Sequence, residues 1–420
     1  MADNTKLKVM KANKMLKLIG IINLMWLIVT YPGNAQPVRK TITTGGFDRE
    51  YLIYTPQNPL EKAEGLLVCL HGFGRTMNDF FGQYDILALA DQLNLIVAAP
   101  QALPEQDPEI LQKANLLASI ANNEISLHSV WGCGLGVRVS MAGFVAINEE
   151  LNKDVDDVSF IDLMIDDIMT ENDLPDENIF MLGTSMGGYM TYQYALLKGE
   201  RLSGIISLAG SMGLNIKGMD KAVKIPVCDF HSVTDEVVPY TGSQTQMGYT
   251  IALAKPMTDV INFWSQVNET GDPITEPVEI YTPTNKITVE KITYPDADNE
   301  VIHYKIDGAS HSYFFKKEAG DCMDHVEEIT KFITSHHTGI SHNEPIVTEQ
   351  KSVFYPNPVY DRIYLNNAEG IISIYDITGR KLFTQPFTAG QTDLSALRPG
   401  LYIIQIQSGN TIQVSKLIKR

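Results

Sequence analysis

The chain has 420 residues and a mass of 46.7 kDa, with 44% hydrophobic and 20% charged residues. That is more than one average domain requires and enough for a large core, which excludes a disordered chain, a collagen-like repeat and a cysteine-stapled miniprotein. Fifty acidic against thirty-three basic residues leave a net charge of -17, so nucleic acid and anionic membrane faces are repelled on balance and neither is an expected partner.

The charge is unevenly spread: residues 1–35 carry +4, residues 351–420 carry +4, and residues 36–350 carry -25. The first segment places five lysines ahead of the apolar run Leu18 to Tyr31 and the small residues Gly33 to Ala35. Basic, apolar and small residues in that order read as an export signal over 1–35, and the run is shorter than the ~20 residues of a membrane span. No stable membrane insertion is expected after processing.

From Gln36 onward, apolar runs alternate with helix-length segments. EGLLVCLHG reads as a strand, YDILALADQL as a helix and NLIVAAPQ as a strand. DVSFIDLMIDDIMTEN has helical spacing, ENIFMLGTS is a strand, GGYMTYQYALLKG a helix, LSGIISLAG and IPVCDFHS are strands, and MTDVINFWSQVNET is a helix. Continuous apolar strands separated by helices predict a mainly parallel sheet covered on both faces, a three-layer α/β domain over 36–337. The proline-bearing stretch from Pro273 to Asn299 is expected to be irregular or edge structure. Residues 338–353 read as a linker, and the short alternating runs with turn signals in 354–420 predict a small all-β sandwich.

The strongest local signal is Gly183-Thr184-Ser185-Met186-Gly187-Gly188 between a strand and a helix. A nucleophile on a turn that tight needs small neighbours, and the helix start supplies free N–H groups to developing negative charge. A serine hydroxyl needs a base and the base an orienting acid. Asp235 and His311 each follow an apolar strand, in the chain order Ser185, Asp235, His311 of the α/β-hydrolase arrangement, with Glu236 as an alternative acid. His71-Gly72-Phe73-Gly74 follows a strand in the manner of a loop that donates to an oxyanion, which assigns the donors to the N–H groups of Phe73 and Met186. His71 and His231 read as structural. Trp131 and Tyr313 either line the substrate pocket or pack beneath their loops.

Cys69 and Cys228 lie in apolar runs and read as small buried hydrophobes, while Cys133 and Cys322 leave a disulfide open. The acidic cluster Asp154, Asp156, Asp157, Asp162, Asp166 and Asp167 lacks EF-hand spacing. It reads as a helix start at Asp156 and Asp157 and a solvent face at Asp162 and Asp166. No metal and no cofactor is expected.

Two resemblances follow from these residues. LVCLHGFGRTMNDF, ALADQLNLIVAAPQ, VDDVSFIDLMIDDIM, ENIFMLGTSMGGYMTYQYA, HSVTDEVVPY, NFWSQVN and DGASHSYF resemble the secreted polyhydroxybutyrate depolymerase and feruloyl esterase group, with relatives of carbohydrate esterase family 1. The resemblance implies Ser185 as nucleophile, Asp235 as acid and His311 as base of a secreted serine esterase acting on feruloyl or acetyl esters of plant polysaccharide. A polyhydroxyalkanoate depolymerase, a dipeptidyl-peptidase-like hydrolase and a non-catalytic surface-binding protein are the alternatives. FYPNPVYDRIYL, IYDITGRKL and PGLYIIQIQSG resemble the C-terminal sorting domain of the type IX secretion system, which implies that machinery as a partner and a secreted or outer-membrane surface location.

Overall fold

The structure, a computed structural model, describes residues 36–56, 62–83, 86–113, 127–141, 144–246, 249–278, 287–311 and 323–338. In the tail it describes 354–355, 359–360, 362–365, 369–376, 380–388, 391–395, 397–398, 400–408 and 411–419. The expected export signal and most of the expected linker lie outside the described residues. The chain divides into two compact units at residues 340 and 341.

The first unit is built on a ten-stranded sheet. Its centre is parallel: β4 (Leu95–Pro100), β3 (Gly65–Leu70), β7 (Ile179–Thr184), β8 (Gly204–Leu208), β9 (Val227–Ser232) and β14 (Val301–Asp307) lie side by side in that order. Antiparallel strands close both ends: β1 (Val38–Thr44) and β2 (Phe47–Tyr54) beside β4, and β13 (Thr288–Tyr294) and β12 (Ile274–Pro277) beside β14. The proline-bearing stretch thus supplies edge structure, and every residue of β12 is exposed.

β3, β4, β7, β8 and β9 are buried along their whole length because both faces of the sheet are covered. Side chains alternate between faces with period two. Leu66, Val68, Met181 and Ile205 therefore pack against α3 (Asp157–Asn172), α4 (Met186–Lys198) and α5 (Met257–Asn268). Leu67, Cys69, Phe180, Leu182 and Ile206 meet α2 (Ile86–Leu93) and α6 (His325–His336) on the other face. A short helix, α1 (Asn78–Gln83), precedes α2. Cys69 and Cys228 are fully buried, and Cys133 is a buried free thiol, so the disulfide left open for it is not formed.

Asp156 caps α3 by accepting from Ser159 N. Its neighbour Asp157 does something the sequence did not suggest. It is completely buried, pairs with buried Arg49 of β2 and accepts the Gly132 N–H at 2.6 Å. Burial pushes its carboxyl up, against the pull of Arg49. Asp162 was expected on a solvent face; it instead accepts from Tyr194, Lys198 and Arg201, joining α3 to α4 and its extension. Partial burial pushes the Asp162 carboxyl up, but these hydrogen bonds outweigh that and hold it below the usual range.

A second sheet of four antiparallel strands was not anticipated. It joins β5 (Gly136–Met141) and β6 (Phe144–Glu150) to β10 (Ser243–Gln246) and β11 (Tyr249–Ala252), with Tyr249 of β11 opposite Met141 of β5. The alternation in VRVS was the available signal.

The second unit is a seven-stranded all-β sheet ordered β15 (Phe354–Tyr355), β16 (Arg362–Leu365), β19 (Gln391–Asp393), β18 (Lys381–Thr388), β17 (Glu369–Asp376), β20 (Gly400–Ser408) and β21 (Thr411–Lys419). One residue pair, Thr388 with Gln391, joins β18 to β19, and a bridge from Val359 to Lys419 links the far ends. The expected sandwich is thus made from one sheet turned over on itself around Ile363, Ile372, Ile374, Phe387, Ile404 and Leu417. Of its described tyrosines, Tyr360 and Tyr364 are exposed, Tyr375 is half-buried, and Tyr402 is half-buried against the core.

Candidate active site

The parallel strands β7, β9 and β14 all end at the same edge of the sheet, and the three residues singled out by sequence leave from those ends. β7 runs to Thr184, Ser185 follows, and α4 begins at Met186. Ser185 has φ 52° and ψ -119°. That left-handed backbone costs a side-chain-bearing residue roughly 1–3 kcal/mol, held here by the surrounding structure. Its N–H donates to Leu208 O at 2.7 Å, and its carbonyl accepts from Gly188 N at 2.9 Å. The flanking glycines are required by close approach. A Cβ on Gly183 would lie 2.1 Å from Gly187 O, and one on Gly187 would lie 1.9 Å from Leu70 O.

Ser185 Oγ lies 2.9 Å from His311 Nε2, and His311 Nδ1 lies 2.7 Å from Asp235 Oδ2. The structure therefore brings Ser185, His311 and Asp235 into one hydrogen-bonded chain across separations of 126 and 76 residues. The Asp235 carboxylate is fully buried, and its Oδ1 accepts the N–H groups of Val237 and Val238, each at 2.8 Å. With Oδ1 so occupied, Oδ2 receives the Nδ1–H of His311, and the Nε2 lone pair is left facing the serine hydroxyl. Glu236 takes a different part: its carboxylate accepts the backbone N–H of His311 at 3.1 Å.

Ser232 and Thr234, which the sequence reading passed over, lock the base loop to the acid loop. Both hydroxyls donate to Ala309 O, at 2.5 and 2.8 Å, and Thr234 Oγ1 accepts from Gly308 N at 3.2 Å. The clue was their place in HSVTDE, hydroxyls at the C-terminal end of a strand beside a carboxylate.

On the other side of Ser185 runs the loop 71–75. A Cβ on Gly72 would lie 3.3 Å from Ser185 Cβ, a tight contact that places this loop directly against the serine. Gly74 N–H donates to Ser129 O and Arg75 N–H to Gly72 O, which leaves the Phe73 N–H outside these turn bonds. Met186 is the first residue of α4, where an N–H has no carbonyl within the helix to receive it. These are the two amides named from the sequence: Phe73 follows the glycine that stands against Ser185, and Met186 follows Ser185 itself.

His71 is buried and positions the loop. Its Nε2 accepts the Ala102 N–H at 3.1 Å, which leaves the proton on Nδ1 to donate to Gly72 O at 2.9 Å. Burial lowers its pKa to about 4, only partly opposed by the Gly72 carbonyl and Asp79, so the ring is neutral. Trp131 is completely buried beneath the same loop and donates its indole N–H to His71 O at 2.9 Å. It packs under the loop and does not line an open pocket, because the main chain of His71 covers its polar edge. Tyr313 lies outside the described residues, as does Cys322.

Behind His71 a cavity of about 380 Å³ opens between the ends of β1, β2 and β4, lined by Arg39, Asp48, Glu50, Thr76, Asn78 and His128 among others. Gln101 and Ala102 stand in its wall and also contact the His71 ring. Among the described residues there is no group of three or more His, Cys, Asp or Glu placed to hold a metal ion, and no helix long and apolar enough to cross a membrane.

Residues 146–263 match the Phospholipase/Carboxylesterase family, and residues 353–420 match the Secretion system C-terminal sorting domain. No curated protein matches the chain. Among solved structures, an acetyl xylan esterase from Aspergillus awamori is 14% identical, with a TM-score of 0.44 over 71% of this chain and 99% of its own. S-formylglutathione hydrolases from Staphylococcus aureus and Agrobacterium tumefaciens are 12% and 11% identical, with TM-scores of 0.39 and 0.44. Each covers 71% of this chain, and the match spans 97% and 94% of their own lengths. In this chain, then, a segment of the phospholipase/carboxylesterase kind carries Ser185 and Asp235 within an α/β-hydrolase-like fold, and a terminal segment of the secretion-sorting kind follows it.

Proposed function

We propose that the protein is a serine carboxylic-ester hydrolase, exported by the type IX secretion system to the cell surface or beyond, that cleaves feruloyl or acetyl esters of plant polysaccharide. The observation that carries the chemistry is the continuous chain Ser185 Oγ, His311 Nε2, His311 Nδ1, Asp235 Oδ2, with contacts of 2.9 and 2.7 Å. His311 takes the hydroxyl proton as Ser185 attacks the ester carbonyl, and the oxygen that becomes negative is received by the Phe73 and Met186 amides. His311 then hands the proton to the departing alcohol, leaving the acyl group on Ser185. Water then attacks the acyl carbonyl, giving a proton to the same nitrogen, and the bond to Ser185 breaks as His311 returns that proton to Ser185 Oγ and the acid leaves. Asp235 stays ionised throughout, holding His311 in the tautomer whose Nε2 is a base. Every proton transfer therefore passes through His311 Nε2.

The cavity behind His71 has a polar, charged lining, and Ser185, Asp235 and His311 are not among its lining residues. Its charged residues include two arginines, Arg39 and Arg49, and two acids, Asp48 and Glu50. Arg39 is bonded to Glu50 at 3.0 Å, and Asp48 accepts from Thr43 at 2.6 Å. The choice of sugar esters over a polyester rests on the sequence resemblance. The test is a panel of methyl ferulate, acetylated xylan, a polyhydroxybutyrate film, a chromogenic proline dipeptide and p-nitrophenyl acetate, run with wild type and Ser185→Ala. The expected result is hydrolysis of the sugar esters and the chromogenic ester, lost by a factor on the order of 10⁴–10⁶ in Ser185→Ala. Preference for the film or the peptide overturns the substrate assignment. A wild type inert toward every member overturns the hydrolase and leaves a binding protein.

A further inference from the structure

His231, next to last in β9, is completely buried, and each of its ring nitrogens faces a backbone carbonyl. Nδ1 lies 3.0 Å from Gly210 O and Nε2 lies 2.9 Å from Val238 O. A carbonyl oxygen only accepts, and a neutral imidazole has a single N–H, so in the neutral ring one of the two contacts would set lone pair against lone pair. The missing partner could not be supplied by bulk water, since the side chain has no exposed surface. Asp235 Oδ2 lies 3.7 Å from Nε2.

We infer that His231 is a doubly protonated imidazolium in the resting protein, donating to Gly210 O and Val238 O and ion-paired with Asp235, and that it serves as a positioning residue for the acid. The inference rests on the proposed roles of Asp235 and His311. Hydrogen bonds from a cation to neutral carbonyls are shorter and stronger than neutral ones, and a buried charge requires a counter-ion. Asp229, two residues before His231 in β9, is already engaged by His303 Nδ1 at 2.8 Å and Tyr192 OH at 3.1 Å. Tyr240 presents its ring edge to His231 at 5.8 Å, and its hydroxyl is bonded to His303 Nε2 at 2.9 Å. From α4, buried Tyr189 is pushed up by burial and, in smaller part, by Cys133 and Asp235. The groups that the contacts place around His231 are thus Asp235, Tyr240 with the His303 and Asp229 pair behind it, and His311 across the Asp235 carboxylate. Among the described residues, Asp235 is the carboxylate within 4 Å of the His231 ring.

Two consequences follow. The ring bonds the acid loop, through Val238, to Gly210, and a Cβ on Gly210 would lie 2.6 Å from Gly188 Cα in the first turn of α4. One charged side chain therefore ties the acid loop to the turn that holds Ser185. The second consequence is electrostatic: a cation on one side of Asp235 disfavours the protonated form of His311 on the other, keeping His311 free to act as a base at lower pH.

The test uses the full chain with ¹⁵N-labelled histidine and the pH dependence of kcat/KM on p-nitrophenyl acetate. At pH 7 both nitrogens of the signal that disappears in His231→Gln are expected at protonated imidazole shifts. In His231→Gln the acidic limb of kcat/KM is expected to move to higher pH by at least about half a unit, as removal of a unit charge within a few ångströms of a titrating group requires. A side chain that merely packs would lower kcat and leave the limb in place. One unprotonated nitrogen at pH 7 overturns the inference, as does an unmoved limb in a folded variant. If His231→Gln does not fold, the wild-type shifts decide, with the His231 signal assigned through its coupling to neighbouring backbone amides. Failure of the roles given to Asp235 and His311 would appear separately, as activity retained in Ser185→Ala, without altering the nitrogen shifts.

Discussion

Replacing His71 with glutamine isolates a titration that ties stability to the geometry of the loop beside Ser185. Burial lowers the His71 pKa from 6.5 to about 4. The native protein thus resists a proton that the unfolded chain accepts below pH 6.5. By linkage, stability is fully present above that pH and is lost as pH falls, by ~2 kcal/mol at pH 5 and ~3 kcal/mol at pH 4, with little further loss below. Glutamine places an oxygen where Nε2 accepts the Ala102 N–H and does not titrate in this range. Urea denaturation at half-unit steps from pH 4 to 7.5 measures the difference. The wild-type minus variant free energy is expected to fall by about 2–3 kcal/mol between pH 7 and 4, whatever the carboxylates contribute, since they are common to both proteins. A difference that stays flat over that interval would refute the claim that this ring is held neutral against its own protonation.

Two further outcomes follow from the packing. Asp157→Ala leaves the buried Arg49 guanidinium without its carboxylate and the Gly132 N–H without its acceptor. A loss of ~3–5 kcal/mol is expected in denaturant titration, with Asp157→Asn intermediate because it keeps an acceptor for Gly132. Gly187→Ala forces a methyl group against Leu70 O, at 1.9 Å before relaxation. Activity and Tm are expected to fall together, whereas Gly46→Ala, on the exposed β1–β2 turn with no atom within 4 Å of its Cβ, should leave activity intact and lower Tm modestly through its φ of 83° alone.

Local pattern was sufficient for what local chemistry dictates. Runs such as LLVCL and IFML can only be two-faced buried strands when helices lie between them, and the small residues around Ser185 are demanded by the sharpness of the strand-to-helix turn. The choice between Asp235 and Glu236 was not local. Both stand in one loop, and which carboxylate meets His311 Nδ1 depends on where the loop after β14 arrives, 76 residues later. The same holds for Trp131, whose burial depends on the loop 71–75 lying over it, and for Asp162, which reads as a solvent face until Tyr194 and Arg201 come across from the next helix.

The sequence by itself determined the alternation of buried strands and helices, the order of serine, acid and histidine, and the change of character in the last 68 residues. These are properties of spacing and composition, legible within a few turns of chain. Only the tertiary structure decided which polar groups satisfy one another: Arg49 with Asp157, His303 with Asp229, and His231 between two carbonyls and Asp235. The physical reason is that apolar burial is non-directional and leaves a periodic trace along the chain, whereas a buried hydrogen bond or ion pair is directional. Its partner comes from whatever distant segment the fold brings within 3 Å or so.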